Sequence, residues 1–220
     1  LGDNGYRTAL IGKWHLGYLQ KHHPMNFGFQ KFVGFKSGNV DYQSHRNRYG
    51  DVDWWDGLEM KNMPGYTTTL LTTLSEDYIK ENKDKPFCLY IAHAAPHSPM
   101  QGPNEKAIRT EATLEGDKNS DRPNKEIYKD MVEELDWSVG RILETLKKYK
   151  LDKNTFVVFF SDNGPVINNG GSTGGYRGAK GAPWEGGHRV PGICYMPGTV
   201  KGGTMCKQTV MSFDLFPTML

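Results

Sequence analysis

Side chains suited to binding a metal ion and an anion follow a short apolar run in the second half of this sequence. The apolar run, residues 155–160, is followed closely by Asp162 and Asn163. Their carboxylate and amide oxygens suit Ca²⁺ or Mg²⁺ better than zinc or copper. A glycine-rich loop follows, and its only lysine is Lys180. In open α/β sheets, ligands bind at the carboxyl ends of strands. The sequence therefore predicts that Asp162 and Asn163 hold a divalent metal and that Lys180 binds an anionic group of the substrate.

Two other apolar runs end in cationic or titratable groups. Residues 8–12 precede Lys13 and His15, which lie two apart and so point to the same face of an extended chain. Residues 86–93 end at His93, with His97 shortly after it. Taken singly, each of these residues is more often structural. Together with a metal they require an anionic ligand, because like charges in a partly dry pocket repel, and a sulfate or phosphate ester meets that requirement.

The elements between these strand ends predict an α/β fold with a mostly parallel central sheet flanked by helices. Apolar residues recur with helical spacing over residues 67–82 and 125–150. The second helix connects the strand at 86–93 to the strand at 155–160, which predicts a strand–helix–strand unit and hence parallel strands. A further strand is expected at 190–196, and the first turns of a helix at 212–220. Residues 100–124 are polar and expected to be irregular.

The segment 36–65 is predicted to be an irregular insertion on the substrate side of the domain. Its Trp54–Trp55 pair has two interpretations that the sequence leaves open. The flat indole rings could form a platform for a sugar, or they could plug a local hydrophobic cluster under the loop.

Composition excludes some functional classes. A net charge of +2 over 220 residues argues against a dedicated nucleic-acid binder. No apolar run approaches the roughly 20 residues that span a bilayer, so no membrane partner is expected. Cys88, Cys194 and Cys206 lack metal-finger spacing. The first two are expected to be core thiols.

The motifs at these strand ends resemble the formylglycine-dependent sulfatases of the alkaline-phosphatase-like superfamily. The sequence Gly-Tyr-Arg-Thr-Ala-Leu-Ile-Gly-Lys-Trp-His-Leu-Gly at residues 5–17 is similar to a signature of that family. Shorter similarities occur, in order along the chain, at residues 28–34, 95–99, 161–164, 178–180, 185–187 and 214–218. The resemblance spans nearly the whole chain, and identifies residues 1–220 as part of a single sulfatase catalytic domain truncated at both ends.

The resemblance implies a role for each site residue. Asp162 and Asn163 would be calcium ligands, with Mg²⁺ as an alternative ion. Lys13 and His15 would contact and orient the formylglycine nucleophile. His97 and Lys180 would bind sulfate oxygens, and His97 would be a candidate to protonate the leaving alcohol. The implied substrate is a sulfated saccharide (a polysaccharide or glycosaminoglycan) or an aryl sulfate ester, and the implied location is periplasmic or secreted, or lysosomal in a eukaryote.

The sequence departs from the family where the nucleophile is concerned. Formylglycine is made from Cys or Ser in a Cys/Ser-x-Pro/Ala-x-Arg motif, and none of the three cysteines lies in such a motif. The nucleophile and further metal-binding aspartates are expected upstream of Leu1, so residues 1–220 alone are expected to be inactive. Two alternatives stay open: a phosphate or phosphonate ester hydrolase of the same superfamily, and a non-catalytic sulfoglycan-binding pseudoenzyme. Neither the sulfate position nor the oligomeric state follows from the sequence.

Overall fold

The computed structural model describes residues 1–110 and 120–219 and has an α/β architecture, as expected. Its strands are β1 (Arg7–Lys13), β2 (Lys31–Phe35), β3 (Trp55–Asp56), β4 (Glu59–Met60), β5 (Phe87–Ala92), β6 (Val157–Phe160) and β7 (Gly192–Tyr195). Its helices are α1 (Thr67–Glu81), α2 (Asn124–Lys148), α3 (Glu185–His188) and α4 (Leu215–Met219), with five short 3₁₀ turns. No described helix is both long and apolar enough to cross a membrane.

The central sheet has the strand order β4-β3-β2-β1-β5. β1 lies in the middle of its parallel part, because it pairs in parallel with both β2 and β5. β3 and β4 extend the sheet as a short antiparallel hairpin. Gly12 near the end of β1 adopts φ 125°, and a Cβ there would lie 2.1 Å from the carbonyl oxygen of Ala92. Only glycine allows this close approach of β1 to β5, directly before the site residue Lys13.

The hydrophobic core lies between this sheet and the two long helices. Apolar side chains of β1 and β2 pack against α1 and α2, and the cluster includes Ala9, Ile11, Phe35, Leu71, Tyr78, Ile127 and Met131. The helices α1 and α2 pack on each other through small hydroxyl residues, with Thr72 Oγ1 donating to Ser138 Oγ at 2.6 Å. The core therefore fixes the carboxyl ends of β1 and β2 relative to the helices.

The pairing of β6 differs from the predicted strand–helix–strand unit, which would have made β6 parallel to β5 in the same sheet. β6 pairs antiparallel with β7 in a separate two-stranded sheet, and among the described residues it makes no ladder with β5. The facing edges of β5 and β6 instead line one cavity of about 2090 Å³. Cys194 on β7 is exposed, so its predicted core position is wrong, whereas Cys88 on β5 is half-buried. The positions of the strands could be predicted from the local sequence, but the strands with which they pair could not.

The other predicted elements fall close to their expected positions. Both long helices and the strand at 190–196 are present, and α4 accounts for the predicted helical turns near the end of the chain. Of the segment 100–124, residues 111–119 lie outside the described part of the chain. The assignment of residues 1–220 to one catalytic domain stays a prediction.

The segment 36–65 is held in place by a buried carboxylate. Asp41 Oδ1 accepts hydrogen bonds from the backbone N–H groups of Gln43 and Ser44, and its Oδ2 accepts from those of Ile108 and Arg109. Burial acts to raise the pKa of Asp41, but these four donors hold it below its ordinary value. The segment is irregular, as predicted, and it is also well anchored.

His45 in the same segment is buried against Trp54, with the ring centroids 4.3 Å apart. Burial lowers its pKa from 6.5 to about 4, and the nearby Asp41 carboxylate only partly opposes this shift. Since Trp54 is fully buried, this indole plugs the core and is not a sugar platform.

The buried imidazole predicts a pH dependence of stability. Above pH 6.5 His45 is neutral in both states and contributes no dependence. Between pH 6.5 and about 4 the unfolded chain binds the proton and the folded protein does not, so the free energy of unfolding should fall as the pH falls, by up to about 3 kcal/mol. His45→Asn, which tolerates the left-handed backbone (φ 55°) at this position, should flatten this slope in denaturation experiments.

The matched control is His188→Asn, a substitution at an exposed histidine, which should leave the slope unchanged. Equal slopes in the wild type and His45→Asn between pH 4 and 6.5 would contradict the prediction.

Candidate active site

The six residues selected from the sequence all line the cavity between β5 and β6. Lys13 is the last residue of β1, and His15 follows it by two positions. The other four lie on loops after β5 and β6: His97, Asp162, Asn163 and Lys180. The structure therefore brings together side chains that are up to 167 positions apart in the chain.

Lys13 is in the electrostatic field of residues from the other loops. Partial burial lowers the pKa of its ammonium group, the Asp162 carboxylate opposes this, and Lys180 adds to the lowering. His15 has a lowered pKa because of partial burial and the positive charges of Lys13 and Lys180. Two lysines so close to each other disfavour further positive charge, and an anion between them would relieve the repulsion.

The backbone after β1 continues the pairing with β2 beyond the sheet. The N–H of Trp14 donates to Phe35 O at 2.9 Å, and the N–H of His15 donates to Lys36 O at 3.2 Å. The indole Nε1 of Trp14 donates to His22 O at 2.7 Å. These bonds fix the turn that presents Lys13 and His15, so the Gly-Lys-Trp-His motif combines two site residues with the tryptophan that anchors them.

His97 is oriented by two contacts with the backbone. Its Nδ1 lies 2.8 Å from Ser98 O, an arrangement in which Nδ1–H donates and Nε2 is left with the lone pair. The hydroxyl of Tyr42 donates to His97 O at 2.9 Å. Burial lowers the pKa of His97, the bond to Ser98 opposes this, and the charges of Lys13 and Lys180 lower it further. Asp162 also opposes the lowering, and an anion bound between the lysines would raise the pKa of His97 further.

The loop after β6 carries the candidate metal ligands. Asn163 Nδ2 donates to Gly164 O at 2.9 Å, which leaves Asn163 Oδ1 without a donor among the described residues. Asp162 is exposed and accepts no hydrogen bond from the described residues. The Asp162 carboxylate and the Asn163 amide oxygen are the kinds of ligand that Ca²⁺ and Mg²⁺ prefer. They do not fit in number, since no group of three or more His, Cys, Asp or Glu suited to a metal occurs within residues 1–110 and 120–219.

Gly164 brings the loop carrying Lys180 back to the end of β6. Its N–H donates to Gly187 O at 2.8 Å, and a Cβ at this position would lie 2.0 Å from the carbonyl oxygen of Gly186. Lys180 is tied to the same turn because its N–H donates to Pro165 O at 3.0 Å. The glycines of the Asn-Gly and Glu-Gly-Gly motifs are therefore needed for packing, and they hold the backbone of Lys180 close to the loop that carries the candidate metal ligands Asp162 and Asn163.

His93 has a structural environment. Its Nε2 lies 3.2 Å from Ser138 Oγ on α2, and its buried Nδ1 has no hydrogen-bond partner. Burial lowers its pKa to about 4. His93 joins the hydroxyl contacts that hold α1 and α2 together.

Lys36 is a residue near the site that sequence reasoning did not select. It directly follows β2, and its Nζ lies 3.3 Å from the centroid of the ring of Trp55, which was named only as part of a possible sugar platform. The available signal was its place directly after an apolar strand. The Trp pair is divided by the fold: Trp54 is buried, and Trp55 lines a second cavity.

Comparison with known proteins gives a consistent result. The model of the Sulfatase family matches residues 1–220. Arylsulfatase J of Mus musculus is 33% identical over 229 residues, covering 100% of this chain and 37% of that protein. N-acetylgalactosamine-6-sulfatase of Canis lupus familiaris is 33% identical over 237 residues, covering 100% of this chain and 43% of that protein.

Solved structures include a similar fold over almost the whole chain. The crystal structure of Ps i-CgsB in complex with k-i-k-neocarrahexaose superposes with a TM-score of 0.84 at 30% identity, covering 99% of this chain and 50% of that one. The chain thus spans half or less of the length of these relatives.

Proposed function

Because this chain belongs to the sulfatase family, we propose that it forms the sulfate-binding side of an active site that hydrolyses a sulfate ester of a sulfated saccharide. One observation carries the proposal: Lys13, His97, Lys180 and Asp162 share one cavity and influence one another electrostatically. Cations placed on separate loops around a metal-binding carboxylate suit a small anionic ester.

The two lysines would bind and polarise the sulfate group. In the overall reaction, water adds across the ester S–O bond to give an alcohol and hydrogen sulfate. Negative charge grows on the leaving oxygen as that bond breaks, and preorganised cations stabilise such charge best where water is partly excluded. Lys13 is suited to this because it is partly buried, and Lys180 because its loop is tied to the end of β6.

His97 would give a proton to the leaving oxygen. The bond from Nδ1–H to Ser98 O leaves Nε2 as the atom that takes up and returns a proton. A bound sulfate ester would raise the lowered pKa of His97 towards the working pH, where general acids are most effective. His15 would help to orient the nucleophile, in line with its position two residues after Lys13.

The cofactors of the proposed site are a divalent cation and a formylglycine. Asp162 and Asn163 would hold Ca²⁺, with Mg²⁺ as the alternative, and the ion would supply Lewis acidity at the sulfate group. A formylglycine residue would supply the nucleophile. Since residues 1–220 contain no Cys/Ser-x-Pro/Ala-x-Arg motif, we propose that this group and the remaining metal ligands come from polypeptide outside these residues.

A sulfated saccharide is the proposed substrate class. The family relatives include N-acetylgalactosamine-6-sulfatases, and the similar solved structure of Ps i-CgsB holds a neocarrahexaose. An aryl sulfate is proposed as an artificial substrate, since an arylsulfatase is among the relatives.

Paired substrates with one leaving group test the reaction class. The complete protein that carries this chain should hydrolyse 4-nitrophenyl sulfate with a kcat/KM at least about 100-fold above that for 4-nitrophenyl phosphate, and should release sulfate from a sulfated oligosaccharide. A preference for the phosphate or a phosphonate ester would support the hydrolase alternative. Binding of sulfated oligosaccharides with no turnover of any ester would support a pseudoenzyme. Residues 1–220 alone should turn over none of these esters.

A further inference from the structure

A second, smaller cavity of about 700 Å³ lies at the same end of the sheet as the candidate active site. It is called the Lys36 pocket here, and its lining includes Tyr18, Lys36, Tyr49, Asp53 and Trp55. The pocket is formed by the segment after β2 and by β3. The proposed roles of Lys13, His15, His97, Lys180 and the metal ligands do not use it.

The side chain of Lys36 is largely buried, and its ammonium group has no direct counter-ion among the described residues. The residue is 7% exposed, and its Nζ lies over the ring of Trp55. Within the part of the chain that the structure describes, this Nζ has no hydrogen-bond or ion-pair partner. A partly desolvated charge without a partner is unfavourable, and contact with an indole face offsets only part of that cost. Burial accordingly lowers the pKa of Lys36, with Asp53 opposing.

The nearest carboxylate is committed to other donors. Asp53 Oδ1 accepts from the backbone N–H of Lys36 at 3.1 Å and from Trp55 Nε1 at 2.7 Å, and its Oδ2 accepts from the N–H of Ser37 at 2.8 Å. These bonds fix both the backbone that carries Lys36 and the indole beneath its ammonium group. The position of Lys36 is therefore fixed, and its ammonium group is available to pair with an anion from a ligand.

The pocket adjoins the candidate active site directly. The carbonyl oxygen of Lys36 accepts the N–H of His15, and a Cβ added to Gly38 would lie 2.5 Å from His15 Nε2. The turn at residues 36–38 thus forms the wall between the two cavities. A substrate longer than one sugar can occupy both, with its reacting sulfate near Lys13 and a neighbouring group near Lys36.

The aromatic side chains at the pocket are suited to a sugar ring. Tyr18 and Tyr49 are 58% and 59% exposed, so part of each ring is accessible to a ligand. The Tyr49 hydroxyl accepts a hydrogen bond from Arg48 at 2.9 Å, which holds this ring at the pocket. Exposed flat rings next to a buried cation match a pyranose that carries a sulfate or carboxylate group. An uncharged sugar would leave the ammonium group uncompensated.

We propose that the Lys36 pocket binds the anionic substituent, sulfate or carboxylate, of the sugar unit adjacent to the one whose sulfate ester is hydrolysed. This inference rests on the proposed function for the reacting sulfate. It adds that the preferred substrate carries at least two anionic groups on neighbouring sugars, and that Lys36 sets this preference.

The test is Lys36→Met in the complete protein, because methionine keeps the apolar stem of the side chain and removes the charge. On size-defined carrageenan, chondroitin sulfate and heparin oligosaccharides, kcat/KM for the preferred substrate should fall about 10- to 50-fold, mainly through KM. For 4-nitrophenyl sulfate, which cannot reach the pocket, kcat/KM should stay within about twofold. Lys61→Met is the matched control, since Lys61 is exposed, pairs with Asp56 and does not line the pocket.

Two further measurements separate binding from folding and from the reaction itself. The melting temperature of Lys36→Met should be unchanged or higher, because an uncompensated buried charge is removed. Calorimetry measures the affinity of the wild type and the variant for the same oligosaccharides and for selectively desulfated or carboxyl-reduced counterparts. This comparison tests the Lys36 pocket even if the wild type hydrolyses no sulfate ester. That lack of turnover would overturn the proposed function alone.

The inference is overturned if Lys36→Met lowers kcat/KM equally for the aryl sulfate and the oligosaccharides, or lowers the melting temperature by several degrees. It is also overturned if the wild type and the variant bind every oligosaccharide with equal affinity, or if neither binds any.

Discussion

Lys180→Ala in the complete protein that carries this chain should lower kcat/KM for an aryl sulfate about 100- to 1000-fold with unchanged stability. This is the usual loss when one preorganised group that stabilises transition-state charge is removed. The ammonium group lies on a loop that contributes little to the core, and its charge acts on Lys13, His15 and His97 across the cavity. Steady-state kinetics on an aryl sulfate measures the effect, and thermal melting checks the fold.

Lys153→Ala, at an exposed turn position that does not itself line the cavity, is the control and should change neither quantity. An unchanged kcat/KM for Lys180→Ala would remove Lys180 from the site. Lys180→Arg keeps the charge and should recover part of the rate, although the planar guanidinium cannot reproduce the geometry of an ammonium group.

Asp162→Ala is expected to abolish both metal binding and most of the activity. The carboxylate is the one negatively charged candidate ligand in the described cavity loop, and its loss removes the strongest attraction for a divalent cation. Its charge also raises the pKa of Lys13, so Lys13 would be charged to a smaller extent in the variant. Calorimetric titration of the complete protein with Ca²⁺ should show an affinity at least about 100-fold weaker, and kcat/KM should fall by at least the same factor.

Asp77→Ala, at an exposed position of α1, controls for the loss of a surface carboxylate. Asp162→Asn keeps one ligating oxygen and should retain more Ca²⁺ affinity than Asp162→Ala. Wild-type Ca²⁺ affinity in Asp162→Ala would exclude this residue as a metal ligand, whatever happens to the rate.

Elements with a strong local pattern could be predicted from the sequence. The apolar runs of β1, β5 and β6 and the 3.6-residue period of α2 depend on side chains close together in the chain. Polar residues after each strand could then be assigned to one edge of the sheet, because parallel strands end at the same edge. That argument selected Lys13, His97 and Asp162, and the structure places them in one cavity.

Features that depend on distant partners could not be predicted. Nothing in residues 155–160 encodes pairing with β7 in preference to β5, since ladder hydrogen bonds use backbone groups common to all residues. The different environments of Trp54 and Trp55 could not be predicted either, because Trp55 begins the two-residue strand β3, which the irregular pattern of this segment concealed. Lys36 could not be selected from the sequence because its environment depends on contacts with Asp53 and Trp55.

The open edge of β5 has a consequence for handling the protein. This strand hydrogen-bonds only to β1 among the described residues, and Tyr90 on it is 50% exposed. Unpaired backbone groups beside apolar side chains act as a template on which another extended chain can add, including a second copy of the same molecule. We therefore expect preparations of residues 1–220 in which this edge is uncovered to self-associate before their helices unfold.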